Sequence, residues 1–168
     1  MKKESPYKIL VMRFSSLGDV AMTVPVIKEL IQQNPQLEIT FLSRKKFRPL
    51  FEDIEKVNFL SADLEGKHKG FSGLYRLYKE LKKMNFDAIA DLHNVLRTKT
   101  LRGFFSFSDI KSAQLDKARK ERKALLRQNS KLRKPLKPMT ERYADVFRDL
   151  GLKLELSHQL SEKDLEQE

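Results

Sequence analysis

The sequence contains no cysteine, only three histidines, and no apolar run approaching the ~18 residues needed to cross a bilayer. Without cysteine there is no disulfide framework, no thiol nucleophile and no cysteine-ligated zinc. His68, His93 and His158 are too scattered to form a local ligand pair. The start, Met1-Lys2-Lys3-Glu4-Ser5-Pro6, leads into a short strand-like stretch rather than a signal-peptide core. The expectation is a cytoplasmic protein, with a peripheral seat on the inner face of the cytoplasmic membrane as an option.

What remains is a foldable chain with an uneven charge. Its 168 residues suit one domain of about 100 to 200 residues, and 40% of them are hydrophobic, enough for a buried core. The formal charge is +11, from 34 Lys and Arg against 23 Asp and Glu. Residues 117–137 (KARKERKALLRQNSKLRKPLK) hold ten basic residues and one acidic, so nearly the whole surplus lies in one segment.

Lys8 to Phe14 (KILVMRF) is an almost continuous apolar run with a β-branched character, as expected of a strand covered on both faces of a parallel sheet. Leu37 to Ser43 reads as the second strand, Val57 to Ser61 as an edge-like third, Phe86 to Leu92 as the fourth and Asp109 to Leu115 as a fifth. Helical spacing follows the first strand, with Val20, Val24, Ile27, Leu30 and Ile31 on one face until Asn34-Pro35; Asp19 or Thr23 can cap it. Further helices are expected over Phe47 to Ile54, Leu74 to Met84, about Asn94 to Phe105, and Thr140 to Leu150, before Gly151. This alternation implies right-handed βαβ units and an open, Rossmann-like, mostly parallel sheet with helices on both faces. Ligands of such sheets bind beyond the carboxyl ends of the strands, which singles out Ser15 to Asp19 and Asp91 to Asn94.

In Ser15-Ser16-Leu17-Gly18-Asp19, two hydroxyls, a glycine and a carboxylate occupy a strand-to-helix turn. The glycine permits positive φ or close approach of a ligand, and the helix start favours an anion. Asp19 there reads either as a simple N-cap or as a carboxylate held ionised and able to accept a proton. The turn lacks both the G-x-G-x-x-G pattern and the Lys-Ser/Thr of a P-loop.

Residues 8–31, KILVMRFSSLGDVAMTVPVIKELI, resemble the opening of the lipopolysaccharide heptosyltransferases, glycosyltransferase family 9. Asp87 to Arg102 (DAIADLHNVLRTKTLR) resembles that family's D-x-x-x-D-L-Q/H strand end and basic helix, and Pro138 to Leu152 (PMTERYADVFRDLGL) its E/D-R-Y helix. The resemblance implies one half of a GT-B architecture, the half that binds the acceptor. It implies that Asp19 is the general base of an inverting transfer from a nucleotide-sugar of the ADP-heptose type to a lipopolysaccharide core acceptor, with no metal and no other cofactor. Ser15, Ser16 and Gly18 then line the reacting pocket, and Arg13 lies near the donor phosphates unless it is an ordinary strand-end charge. His93, where many relatives carry Gln, and Asn94 stand at the fourth strand's end; His93 reads as an acceptor contact or as a satisfied structural histidine. Arg97, Lys99 and Arg102 face an anionic acceptor or form a solvated helix face.

The family's second domain has no counterpart in these 168 residues, so the expectation is an acceptor-binding domain over 1–152, a tail or linker stub over 153–168, and a chain inactive by itself. For the basic segment, the absence of aromatic residues argues against nucleic acid, and its weak apolar stripe argues against a membrane-lying helix. Recognition of an anionic glycolipid acceptor by Lys117, Arg119 and Lys120 fits best, against a solvated loop. The alternative function is a non-catalytic module that binds anionic glycolipid or membrane through residues 117–137.

Overall fold

The computed structural model describes residues 6–119, 123 and 136–157. Five strands form one parallel sheet: β1 (Tyr7–Met12), β2 (Leu37–Ser43), β3 (Val57–Ser61), β4 (Ala88–Asp91) and β5 (Lys111–Gln114), in the order β3-β2-β1-β4-β5. This is the expected α/β, Rossmann-like class, and the edge position of β3 is as expected. The order reverses between β1 and β4, so the crevice beyond their carboxyl ends is the topological switch point.

β1 is central because both of its faces are apolar. Ile9 and Val11 point into one core with Ile27, Leu30, Phe41, Tyr143 and Phe147; Leu10 and Met12 point into the other with Leu74, Leu77, Leu81, Leu101 and Phe105. The first core is covered by α1 (Leu17–Ala21), α2 (Thr23–Gln33), a 3-10 turn (Lys45–Phe51) and the last helix, here α5 (Met139–Asp149). The second is covered by α3 (Gly70–Lys82) and α4 (Leu96–Phe105). Among the described residues no helix is long and apolar enough to cross a membrane.

Two local expectations are corrected. The helix after β1 is two helices broken at Met22. Pro25 carries no N–H, and its ring would clash with the carbonyl four residues back, so one continuous helix is disfavoured while Pro25 is tolerated in the first turn of α2. The helix expected over Phe47 to Ile54 is instead the 3-10 turn over Lys45–Phe51. Pro49 lies inside it and cannot donate to an α-type ladder, and Phe47 N–H already bonds the Arg44 carbonyl three residues back at 3.0 Å.

Candidate functional site at the β1 and β4 strand ends

The register that pairs Met12 with Asp91 carries past both strand ends, where Leu92 N–H donates to the Met12 carbonyl at 3.1 Å. Arg13 therefore meets Leu92, and Phe14 and Ser15 meet His93. The Arg13 guanidinium is nearly enclosed. It donates through Nη1 to the Leu92 carbonyl, pairs through Nη2 with Asp19 Oδ2 at 2.7 Å, and lies 5.4 Å from the centre of the Tyr143 ring.

Asp19 stands at the third position of α1, and Ser16, not Asp19, is the N-cap. Its Oδ2 accepts from the Ser16 N–H at 3.2 Å and the Ser16 hydroxyl at 2.9 Å, in addition to Arg13. Partial burial opposes ionisation, but the two Ser16 hydrogen bonds and the Arg13 charge outweigh it and hold the carboxyl below its ordinary range. All three contacts converge on Oδ2, which leaves Oδ1 as the acceptor lone pairs on offer. Tyr143 braces the turn from behind, its hydroxyl donating to the Asp19 carbonyl at 3.3 Å. Gly18 lies within α1 with no positive φ, and a Cβ there would meet nothing within 4 Å, so its side of the helix is open space.

His93 is held from two sides. Phe14 N–H approaches Nδ1 at 3.4 Å, which makes Nδ1 the acceptor and assigns the proton to Nε2, 3.3 Å from Ser15 Oγ. Burial first, then the positive charges of Arg13 and Lys117, lower the imidazole pKa to about 4. The ring is thus a neutral donor to Ser15, whose own hydroxyl proton is free to point elsewhere.

Asp91 is fully buried and organises the β4 end. Its Oδ1 accepts from the N–H groups of His93 (3.0 Å) and Asn94 (2.7 Å), and its Oδ2 pairs with Arg102 Nε at 3.0 Å. Asn94 adopts φ 48°, a conformation asparagine tolerates, and its amide donates to the Leu115 carbonyl at 2.8 Å, tying β4 to β5. Among the described residues no three carboxylate or imidazole groups gather in metal-ligand fashion.

With this geometry in place, known proteins can be compared. No family model matches the chain. The lipopolysaccharide core heptosyltransferase OpsX of Haemophilus influenzae is 29% identical over 98 residues, 58% of this chain and 27% of that protein. The glycosyl transferase family 9 structure from Veillonella parvula superposes with a TM-score of 0.64 at 22% identity, over 89% of this chain and 43% of that one. The chain resembles the lipopolysaccharide heptosyltransferases. Heptosyltransferase WaaC of E. coli, solved with ADP, superposes with a TM-score of 0.62 at 16% identity, over 94% of this chain and 51% of that one. The chain thus spans about half the length of these solved relatives and 27% of the curated one.

Within this heptosyltransferase-like fold, the remaining site residues separate. Lys117 is half-buried beyond β5; burial, then Arg119, Arg13 and Lys99, lower its pKa, which places it in the same positive field as Arg13. Arg119 is exposed beside it, while Lys120, with most of the basic segment, lies outside the described residues. Arg97 is exposed near the start of α4. Arg102 donates through Nε to Asp91 Oδ2 at 3.0 Å and through Nη2 to Gln114 Oε1, which holds its guanidinium at the β4 and β5 ends. Tyr143 is the contributor the sequence did not place at the site, and the pairing of Asp91 with Arg102 is the contact it did not show; the signal was there in the E-R-Y helix and in the D-L-H strand end. A cleft of about 660 Å3 lined by Lys8, Lys56 and Lys83 lies at the opposite, amino-terminal edge of the sheet, away from this chemistry.

Proposed function

We propose that these residues form the acceptor-binding half of a heptosyltransferase-like inverting glycosyltransferase. Asp19 accepts the proton of an acceptor sugar hydroxyl as that oxygen bonds to the anomeric carbon of a nucleotide-sugar of the ADP-heptose type. The bond from that carbon to phosphate breaks, and the nucleoside diphosphate leaves. A carboxylate with a lowered pKa cannot ionise an alcohol beforehand, so proton transfer accompanies bond formation, when the hydroxyl has become acidic. Much of the rate then comes from positioning. Ser15, Ser16 and the space beside Gly18 receive the hydroxyl, His93 and Asn94 shape the facing wall, and Lys117 and Arg119 attract the acceptor's anionic groups. Arg13 acts through Asp19, which it keeps ionised, and its charge favours the departing diphosphate.

The observation that carries this reading is the single free oxygen of an ionised Asp19 at the switch point, supported by the likeness to OpsX. Two measurements test it. Titrating the labelled chain with a lipopolysaccharide core acceptor is expected to shift amide resonances around residues 15–19 and 91–94; shifts confined to other regions reject the acceptor site. With a donor-binding half supplied, Asp19→Asn is expected to lower transfer from ADP-heptose by at least ~100-fold while acceptor binding persists. An unchanged rate removes Asp19 from the base role.

A further inference from the structure

A helix on the surface of a sheet needs one apolar stripe, and α3 carries two. Leu74, Leu77 and Leu81 are buried in the core. Phe71, Tyr75 and Tyr78, with Lys82, repeat at spacings of four and three on a separate line of the same helix. Phe71 is 70% exposed and Tyr75 46%. Isolated exposed aromatics are ordinary, but these are contiguous. Phe104 of α4 lies 5.2 Å from the Phe71 ring and 5.4 Å from the Tyr75 ring, with Tyr78 at 5.5 Å, so the two helices present one aromatic surface.

The charges around it have one sign. Lys79 lies over the Tyr75 ring and Lys82 over the Tyr78 ring, at 5.4 and 5.8 Å. Arg97 shares a face of α4 with Phe104, seven residues on. Arg76, Lys79 and Lys82 of α3 and Arg97 of α4 are basic, while Lys99 and Arg102 of α4 serve the strand-end site, Arg102 on Asp91 and Gln114; the one acidic residue of the two helices is Glu80. Glu80 is engaged elsewhere, by Lys67 at 2.5 Å and His68 at 3.3 Å. A second copy of the chain would bring cations against cations across such a surface, which disfavours self-association.

We infer that the outer face of α3 and α4 docks on an anionic lipid bilayer. Phe71, Tyr75 and Phe104 enter the headgroup and acyl boundary, and Lys79, Lys82 and Arg97 meet lipid phosphates. Aromatic rings suit that boundary because one layer takes both ring and polar edge, and lysine stems can run along apolar surface while the ammonium stays with the headgroups. The inference does not depend on the glycosyltransferase reading, and it assigns membrane contact to a surface other than residues 117–137.

The test uses the 168-residue chain with vesicles of phosphatidylcholine containing roughly 30% phosphatidylglycerol and no glycolipid, so its outcome is separate from that of the acceptor site. Co-sedimentation is expected with these vesicles and not with phosphatidylcholine alone. Phe71→Ser combined with Tyr75→Ser, both at exposed positions, is expected to weaken binding by at least ~10-fold. Because the sequence contains no tryptophan, Phe71→Trp provides a single reporter, expected to shift its emission to the blue on anionic vesicles. Unaltered sedimentation of the double variant, or an unshifted emission, would place binding on other basic residues and overturn the inference. So would a dimer in sedimentation velocity that the double variant dissolves.

Discussion

The behaviour of His93 follows from where its proton sits. A neutral ring that accepts from Phe14 and donates to Ser15 has no place for a second proton, and burial together with Arg13 and Lys117 makes that proton costly. The folded imidazole titrates near pH 4 and the unfolded one near 6.5, so between these values the unfolded state binds the extra proton. The stability His93 contributes is therefore complete above about pH 6.5 and is lost as pH falls toward 4. His93→Gln preserves an acceptor and a donor without a titrating group. The melting temperature of the native chain is expected to fall more steeply than that of the variant across this window. Parallel curves would mean that the ring is free to charge in the fold.

Elements meet where small residues allow it. In α3, a Cβ at Gly73 would lie 2.4 Å from the His68 carbonyl carbon and 2.8 Å from its Cα, both backbone atoms that cannot swing aside. In α4, a Cβ at Gly103 would meet nothing within 4 Å. Alanine is favoured over glycine in either helix by ~1 kcal/mol. At Gly103 that preference acts alone, so Gly103→Ala is expected to stabilise by about 0.5–1 kcal/mol. At Gly73 the clash, costing ~1–3 kcal/mol or more, exceeds it, and Gly73→Ala is expected to destabilise. Thermal unfolding of the two variants in opposite directions is the signature; a stabilised Gly73→Ala would mean that the 63–68 turn yields easily.

The same contrast shows what a linear reading can reach. Leu37–Ser43 and Val57–Ser61 were legible to the residue because apolar, β-branched runs end at turn residues. The Ser15–Asp19 turn was legible because its residue types announce a strand-to-helix junction. Contacts far apart in sequence were not. The 79-residue separation between Arg13 and Leu92 closes only through the β1–β4 register, and the 124-residue separation between Tyr143 and Asp19 only because α5 packs against α2, β4 and β5. Arg102 looked like one more exposed cation until helix packing placed it on a buried carboxylate.

At the scale of the molecule, charge of one sign gathers at one edge of the sheet. The segments that follow β1, β4 and β5 bring Arg13, Lys99 and Arg119 near enough to Lys117 to depress its pKa in concert with burial, and Arg13 and Lys117 act on His93 as well. Asp19 and Asp91 offset this only in part, and each is already satisfied by an arginine. An anionic ligand at this edge would relieve cation–cation repulsion, which makes the edge electrostatically poised for one. Removing a contributor has a readout that requires no ligand. Lys117→Met deletes one of the charges opposing protonation of His93, so the His93 midpoint, followed by its ring resonances, is expected to move up from about 4. The shift should shrink as salt is raised to ~0.5 M, where screening shortens to a few ångströms. The same variant is expected to bind a phosphorylated core oligosaccharide less tightly, with a weaker salt dependence than the native chain. A His93 midpoint indifferent to Lys117 would disconnect the β5 loop from the site and leave Arg13 as the sole source of its positive field.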